Sequence, residues 1–557
     1  MNPGSLSGRL IPKAFLLVLL LALAGHAQSA TTDSPLFPAL SLVAGVLNEP
    51  LFPESPAYTT NDDIVIHAAD GVNLEANIFV PTEDSAPYPA VIFVNSWGLN
   101  EYEYLTEAGR LAERGYVVLS YSTRGWGESG GEINTAGPKD VSDFSTVVDW
   151  LITNAPVDPN GIGASGISYG AGIAMLGAAH DERIKAVSAM SGWGSLVESL
   201  YAQRTPRLVW GELLTFTGDL LGNPSQEIQE NWDNVKNHRN IEDVTEWALE
   251  RSPINYVDQL NENGTAVYLA NNWGDNLFQA NSVLDMYQQL DGPKAINLQA
   301  GMHASTELIG MIGGGDTRIW NNTRRWFDQH LKGQSTAIED QEPVQMKVRL
   351  TDRFEGFSTF PVPQAETRHW FLHPRSWFSN GKLENSAWEG WGSRTNSFSD
   401  WGDTLASTGI PLGSQIFDQV NLPVTAPVPL LGRSRSAWYR TERLQEPLRI
   451  RGIPEVTLNV TPRDDALQLV AYLYDLSPDG KGRLITHAPI TVPDAAPGEP
   501  LELDLDLVAT GYDVPAGHRV ALVVDGKDLL YAGPDGVQSQ SINFSGSAVN
   551  RLSIPAL

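Results

Sequence analysis

Cysteine is absent from this sequence of 557 residues. Its absence excludes disulfide bonds, thiolate nucleophiles, zinc sites with cysteine ligands and lipid anchors on cysteine. The apolar core alone must therefore stabilise the fold. A nucleophilic side chain must come from another residue type, and serine is the first candidate to search for.

Basic residues are few in comparison with acidic ones. The 37 Lys and Arg residues form no run, and with 66 Asp and Glu residues the formal net charge is −29. Such a chain repels nucleic-acid phosphates and anionic membrane surfaces, so we expect neither as a partner. Hydrophobic residues make up 42% and charged residues 18%, which is typical of a globular protein. The length allows two to four domains.

Apolar runs long enough to span a membrane are also lacking. The run at residues 14–24 falls short of the roughly 20 residues that a spanning helix takes, and no later run is longer. Two basic residues precede this run and small residues follow it, a pattern typical of a secretory signal peptide. We predict a leader over residues 1–30, cleaved after Ala27 or Ala30, and a secreted or periplasmic protein.

A catalytic α/β domain is predicted over residues 31–344. Short apolar runs alternate there with amphipathic stretches, as in a parallel sheet covered by helices. The segment 194–252 has helical patterning and no convincing strand, so we interpret it as a helical cap over the strand ends. The predicted strands are 89–94, 117–121, 161–165, 186–190, 266–270 and 295–299.

Strands dominate the rest of the chain. Apolar residues alternate with polar ones in four segments, which predicts an all-β sandwich over residues 345–557. The stretch 380–413, rich in Ser, Gly, Asn and Trp, is expected to be a long irregular connection. The alternating segments are 344–350, 448–451, 456–460 and 501–507.

The most specific motif is a G-x-S-x-G pentapeptide at residues 166–170, with Ser168 at its centre. It follows a predicted strand and precedes a helix of small residues at 171–179. This context predicts a nucleophile elbow, in which a strained turn exposes the serine hydroxyl at the end of the sheet. The competing interpretation is a serine in an ordinary tight turn.

The base and the acid follow from the chain order of such enzymes, which is serine, acid, histidine. Four histidines of the α/β region follow the nucleophile: His180, His238, His303 and His330. Only His303 comes directly after a predicted strand, so we predict it as the base. Asp275 follows the preceding strand and is predicted to orient the imidazole. Asp285, inside a helical pattern, is the second choice.

An oxyanion hole needs two N–H donors. The residue after the nucleophile, Tyr169, supplies one through its backbone. The loop at residues 95–98 follows the first long buried strand, and Trp97 in it offers its backbone N–H or, as a less favoured alternative, its indole N–H. Trp97 could instead only form a wall of the substrate pocket.

These residues lead to a family resemblance that spans almost the whole mature chain. The sequence resembles the α/β-hydrolases that group cocaine-esterase-like enzymes, glutaryl acylases and X-Pro dipeptidyl peptidases. Two departures stand out: relatives carry a tyrosine near Trp97, and an aspartate often stands at the position of Ser122. The matching segments are 70–74, 123–131, 166–170, 273–275 and 325–333 in the first domain, and 452–458, 471–480 and 515–519 in the second.

The resemblance implies an α/β-hydrolase core with a helical cap, followed by a jelly-roll sandwich in which His518 is structural. It implies hydrolysis of an ester, amide or X-Pro peptide bond in a small-molecule or peptide substrate, through an acyl-enzyme and without a metal or organic cofactor. An X-Pro dipeptidyl aminopeptidase would need acidic cap residues for the substrate's amine, and Glu198, Glu212 or Asp219 are the candidates.

A hypothesis from another class is a non-catalytic protein that binds sugars or polymers through aromatic side chains of the β-rich region. The tryptophans concerned are Trp377, Trp388, Trp391 and Trp401. The intact order of serine, aspartate and histidine favours the enzyme. The sequence leaves the acyl and leaving groups undetermined and is compatible with a homo-oligomer.

Overall fold

The structure is a computed structural model. It describes residues 37–48, 50–312, 317–376, 379–390, 392–402, 404, 406–407, 417, 422–545 and 548–557. The predicted leader lies outside the described residues, as do Trp377 and Trp391.

The first domain is built on one mostly parallel sheet. Its strands are β1 (Tyr58–His67), β2 (Asn73–Pro81), β3 (Tyr88–Val94), β4 (Val117–Tyr121), β5 (Val157–Ile167), β6 (Ile184–Met190), β7 (Ala266–Asn272), β8 (Lys294–Gln299), β9 (Val344–Lys347) and β10 (Phe354–Phe357). Their order is β1-β2-β4-β3-β5-β6-β7-β8-β9-β10. From β4 to β9 each neighbouring pair is parallel. Inner strands such as β3, β4 and β7 are almost entirely buried because helices cover both faces of the sheet.

Helices connect and cover these strands. They are α1 (Phe37–Val46), α2 (Leu105–Glu113), α3 (Pro138–Asn154), α4 (Tyr169–His180), α5 (Leu196–Leu200), α6 (Leu208–Leu221), α7 (Gln226–Lys236), α8 (Ile241–Leu249), α9 (Val257–Asn263), α10 (Ala280–Gln289), α11 (Ser305–Ile312) and α12 (Arg318–Lys332). In α12 the Thr317 hydroxyl caps the first turn and Gly333 ends the helix in the left-handed conformation. None of the described helices combines the length and the apolar character that crossing a membrane requires.

The cap lies between β6 and β7 and consists of α5 to α8, with no strand anywhere in this fully described stretch. It begins where the Ser195 hydroxyl accepts the backbone N–H of Glu198 and caps α5. The helical insertion predicted over residues 194–252 coincides with these four helices.

In its described residues, the second domain contains fourteen strands. They are β11 (Glu366–His373), β12 (Gly381–Glu384), β13 (Arg394–Ser399), β14 (Thr425–Ala426), β15 (Ser436–Arg440), β16 (Leu448–Gly452), β17 (Glu455–Pro462), β18 (Leu467–Leu476), β19 (Gly482–Val492), β20 (Leu501–Asp506), β21 (Thr510–Val514), β22 (Arg519–Asp525), β23 (Ser539–Phe544) and β24 (Arg551–Ala556). All residues of β18 are buried, because it pairs with β19 and β22 at the centre of this domain. The predicted fold class, an α/β-hydrolase domain followed by an all-β domain, is confirmed.

Two details differ from the expectations. The segment predicted as the first strand of the sandwich is β9, which pairs in parallel with β8, and β10 then pairs with β9. The first sheet therefore extends past residue 345, and the strands of the second domain begin with β11. Alternation shows that one face of a strand is buried, but it does not show which sheet the strand joins.

The stretch 380–413 is not wholly irregular. It contains β12 and β13, and β13 pairs with β23 over its whole length. Its sequence, Arg-Thr-Asn-Ser-Phe-Ser, is mostly polar. This segment is a strand because it pairs with a neighbouring strand, so a search for apolar patterns could not reveal it.

Candidate active site

Ser168 occupies a strained turn between β5 and α4. Its backbone has φ 56° and ψ −115°, a conformation that costs free energy for any residue with a side chain. A Cβ at Gly166 would lie 2.4 Å from the carbonyl carbon of Gly170, and a Cβ at Gly170 would lie 2.1 Å from the Val94 oxygen. A larger residue therefore has no room at either glycine position. The turn projects the serine at the carboxyl end of the sheet.

The structure brings Ser168, His303 and Asp275 together. His303 Nε2 lies 2.8 Å from Ser168 Oγ, and His303 Nδ1 lies 2.8 Å from Asp275 Oδ2. The other oxygen of the fully buried Asp275 accepts the backbone N–H groups of Leu277 and Phe278 at 3.0 and 2.9 Å. These bonds fix the carboxylate, which in turn fixes the ring orientation, so the geometry suits proton transfer from the serine hydroxyl.

The other candidates lie elsewhere. His180 bonds the Leu176 carbonyl oxygen, His238 bonds the Tyr201 hydroxyl, and Asp285 lies on the exposed side of α10. His330 packs against Trp326 in α12. His518 bonds Asp475 in the second domain.

Aromatic rings surround the imidazole of His303. The ring centroids of Trp210 and Phe278 lie 5.4 and 5.1 Å from that of His303. The Trp210 indole N–H donates to Asn276 Oδ1 at 2.8 Å, which fastens cap helix α6 to the loop that carries Asp275. This enclosure lowers the local dielectric and strengthens the hydrogen bonds along the three residues.

Two backbone N–H groups are available beside Ser168. In the part of the chain that the structure describes, neither the Trp97 nor the Tyr169 backbone N–H donates a hydrogen bond. The Trp97 indole N–H instead donates to Leu214 O and to Thr217 Oγ1, each at 3.2 Å. The indole alternative is therefore wrong, because this donor is already bound. The Trp97 ring also packs edge-on against Tyr169, so it walls the site as well.

The Tyr169 side chain points away from the nucleophile and anchors α4. Its hydroxyl donates to Asp140 Oδ2 at 2.9 Å, and both residues are buried. Burial raises the pKa of Asp140 to about 7, although the hydrogen bond from Tyr169 favours its ionised form. Only the backbone of Tyr169 is thus offered to a substrate.

A cavity of about 130 Å³ opens between Ser168 and the cap. Among the described residues no Asp or Glu lines it, and its walls are mostly apolar. The three acidic cap candidates lie elsewhere: Glu212 pairs with Lys236 at 2.8 Å, and Glu198 and Asp219 are exposed. Cap residues on its walls include Leu214, Ile228, Trp232, Val235, Val244 and Trp247.

Sequence reasoning missed these lining residues and also the contact between Trp210 and Asn276. The apolar spacing of the cap helices showed that each has a buried face, but not which faces meet above Ser168. Among the tryptophans considered for polymer binding, Trp388 packs against Phe544, and Trp401 is exposed beneath the Arg435 guanidinium. The two rings therefore pack against different partners.

Two family profiles match the chain. The profile of the X-Pro dipeptidyl-peptidase (S15 family) matches residues 70–305, and that of the X-Pro dipeptidyl-peptidase C-terminal non-catalytic domain matches residues 336–549. Together they cover both domains and most of the chain.

Among curated proteins, the uncharacterized protein YcjY of Escherichia coli is 34% identical over 146 residues, which is 24% of this chain and 48% of that protein. The chain thus spans about half of that relative. The cocaine esterase of a Rhodococcus species is 21% identical over 542 residues, covering 85% of this chain and 91% of the esterase.

Solved structures share the fold over nearly the full length. A CocE/NonD family hydrolase from Staphylococcus aureus has a TM-score of 0.70 at 15% identity, covering 90% of this chain and 94% of that one. An α-amino acid ester hydrolase has a TM-score of 0.70 at 16% identity, covering 92% and 98%. At such identities they show the fold alone. The two profiles and the similarity to the cocaine esterase over 85% of this chain identify the chain as a member of the X-Pro dipeptidyl-peptidase (S15) family and as a serine hydrolase.

Proposed function

We propose that this serine hydrolase is an exported esterase in which Ser168 is the nucleophile, His303 the general base and Asp275 the residue that orients the base. Support for the roles comes from the two hydrogen bonds of 2.8 Å that connect the three side chains. Support for the substrate class comes from the apolar cavity beside Ser168.

In this mechanism Ser168 Oγ attacks the acyl carbon while its proton moves to His303 Nε2. The negative oxygen that develops accepts the backbone N–H groups of Trp97 and Tyr169. The intermediate then expels the alcohol, which takes the proton from His303. Water, deprotonated by His303, attacks the acyl-enzyme in the same way and releases the acid and the free serine.

The lining of the cavity beside Ser168 is the basis for our choice of substrate. A dipeptidyl aminopeptidase must bind a protonated substrate amine, and an apolar enclosure without a carboxylate penalises that charge. An ester carries no charge that would need a partner in the cavity. If it has an apolar group of aromatic size, burying that group contributes favourable binding free energy. We therefore favour esters with such a group over X-Pro peptides.

Parallel assays on one preparation test this choice. The expected result is rapid release from nitrophenyl esters and no release from an X-Pro-anilide, with both rates compared with those of Ser168→Ala. Release from the anilide at a rate similar to the ester would make the protein an aminopeptidase. Ester turnover by Ser168→Ala equal to the wild-type rate would remove the proposed roles altogether.

We also propose export, because residues 1–30 have the pattern of a cleaved leader. Expression of the full chain in a bacterial host, followed by fractionation and N-terminal sequencing, tests it. A mature N-terminus just after Ala27 or Ala30 outside the cytoplasm is expected. An intact leader on a cytoplasmic product would contradict the proposal.

A further inference from the structure

A buried carboxyl group lies behind the 95–98 loop, on the side away from the substrate. It belongs to Glu103, which is 4% exposed and stands just before α2. Glu103 Oε2 accepts the backbone N–H of Ser96 at 2.6 Å, and Glu103 Oε1 lies 2.7 Å from Ser96 Oγ. The backbone N–H and the hydroxyl of Ser96 thus both contact one carboxyl group, and the next residue along the chain is Trp97.

The same serine also contacts the nucleophile turn. Ser96 Oγ lies 3.0 Å from the carbonyl oxygen of Ile167, the residue before Ser168. The backbone N–H of Ile167 donates to the Tyr104 hydroxyl at 2.9 Å. Ser96 and Tyr104 therefore connect the loop that carries the Trp97 N–H to the turn that carries the nucleophile.

The number of protons in this cluster indicates its charge state. The Ser96 hydroxyl has one proton but lies within hydrogen-bond distance of three oxygens, two of which carry no proton when Glu103 is ionised: those of Glu103 and Ile167. The third is the Tyr104 hydroxyl, at 3.5 Å. An ionised carboxylate can only accept hydrogen bonds, so with Glu103 ionised one of these close oxygen pairs has no proton between its atoms. With Glu103 neutral, the carboxyl O–H donates to Ser96 Oγ, and the Ser96 O–H donates to Ile167 O.

We propose that Glu103 acts as a neutral carboxylic acid and is a positioning residue for the oxyanion hole. The chain from Glu103 through Ser96 to Ile167 fixes the distance between the Trp97 N–H and Ser168. This inference rests on the proposed function, because it assigns Glu103 a part in the same acyl transfer.

The surroundings of Glu103 agree with this charge state. Burial raises the pKa of Glu103 to about 7, against hydrogen bonds from Ser96 and Tyr104 that favour the ionised form. Among the described residues, Tyr104 is the titratable group that acts on this carboxyl, and its own pKa is raised by burial. No cation in the part of the chain that the structure describes acts on this carboxyl to stabilise its ionised form.

Activity should then fall as Glu103 ionises. The wild-type kcat should fall on the alkaline side as Glu103 loses its proton. Oxyanion-hole bonds form in the transition state, so the alkaline loss should appear in kcat more than in KM. Glu103→Gln retains an acceptor for the Ser96 N–H and supplies a permanent donor to Ser96 Oγ.

The test is the pH profile of kcat for ester hydrolysis by the wild type and Glu103→Gln. The wild type should lose about 10-fold or more between roughly pH 7 and pH 9, and Glu103→Gln should remain within about 3-fold of its maximum over that range. Glu107→Gln is the matched control: Glu107 is a buried glutamate on α2 that pairs with Arg324, remote from Ser168. It should lower the melting temperature and keep the wild-type profile.

Two results would overturn the inference. If Glu103→Gln follows the wild-type profile, its ionisation has no role in catalysis. If Glu103→Gln is folded but loses about 100-fold at every pH, the ionised carboxylate is the working form. Ser168→Ala is measured alongside. Only a failure of the proposed function would leave Ser168→Ala active, so this variant distinguishes such a failure from the two results above.

Discussion

The backbone of Ser168 holds a conformation that neighbouring glycines make accessible. The pentapeptide predicted this turn from sequence because its glycines have a steric cause: at Gly166 and Gly170 the chain passes too close to itself for a Cβ. Asp275 and His303 could likewise be predicted, since each follows the end of a parallel strand and such ends meet at one edge of the sheet. The role of Glu103 could not, because it depends on a contact between a loop and a buried side chain.

Gly170→Ala tests the steric cause. Its Cβ would lie 2.1 Å from the Val94 backbone oxygen, so the chain must shift, and we expect a loss of about 3 kcal/mol or more in the free energy of unfolding, with loss of activity. Gly292→Ala is the control, because its Cβ would have its nearest neighbour at 3.4 Å. Urea denaturation measures both variants. Equal stability of the two would contradict the explanation.

Asp275→Asn tests the orientation of the base. The Asn oxygen can keep the bonds from Leu277 and Phe278, which turns its NH₂ group toward His303 Nδ1 and favours the wrong tautomer. We expect kcat to fall about 10³- to 10⁴-fold with little change in stability. Asp285→Asn, at the exposed second-choice aspartate, should keep wild-type kcat. Similar rates for both variants would dismiss the assigned role.

At the scale of elements, the sheet and its covering helices could be predicted from the apolar pattern of the sequence, whereas the pocket could not. Buried parallel strands such as β3 are largely apolar runs, which the sequence displays directly. The cap helices display only one apolar face each, and the cavity exists where α6, α7 and α8 meet. The polar strand β13 was missed because its partner strand, not its composition, makes it a strand.

Val244→Phe tests the cavity as the binding site for an apolar group. Val244 is buried in the cavity wall on α8, and a larger side chain would fill space that a bulky ester needs. We expect kcat/KM for naphthyl butyrate to fall about 10-fold while that for ethyl acetate changes little. Leu249→Phe, on the exposed side of α8, is the control. An equal loss on both esters would refute selective filling.

At the scale of the whole molecule, the all-β domain supports the cap and α10. Thr205 Oγ1 and Thr491 Oγ1 lie 2.8 Å apart, and the Asn281 side chain bonds Leu507 O and Ala509 N at 3.0 and 2.7 Å. These contacts hold the segment after α5 in the cap and the helix after the Asp275 loop against the second domain. The role of the second domain was not predictable from sequence because it lies in contacts between distant segments.

The free energy of unfolding of the whole protein should depend on pH because of its buried acids. The pKa of Asp140 is raised from 3.8 to about 7, so the folded state binds its proton more tightly than the unfolded state does. Its contribution to stability is complete below about pH 4 and is lost as the pH rises through about 7. Asp140→Asn lacks this dependence.

We therefore expect the free energy of unfolding of the wild type, relative to Asp140→Asn, to fall by about 2 kcal/mol from pH 5 to pH 7. Asp149→Asn, at an exposed carboxyl of the same helix α3, is the control substitution. Denaturation of the wild type and the variants at pH 5 and pH 7 measures this difference. A difference between wild type and Asp140→Asn that is constant with pH would contradict the assignment.

The central claim is that Ser168 is the nucleophile activated by His303. Labelling with a fluorophosphonate, followed by mass spectrometry of the digested protein, tests it most directly. We predict one phosphonyl group per chain on the peptide that contains Ser168, and a large loss of labelling in His303→Ala. Labelling at another serine, or undiminished labelling of Ser168→Ala, would contradict the account.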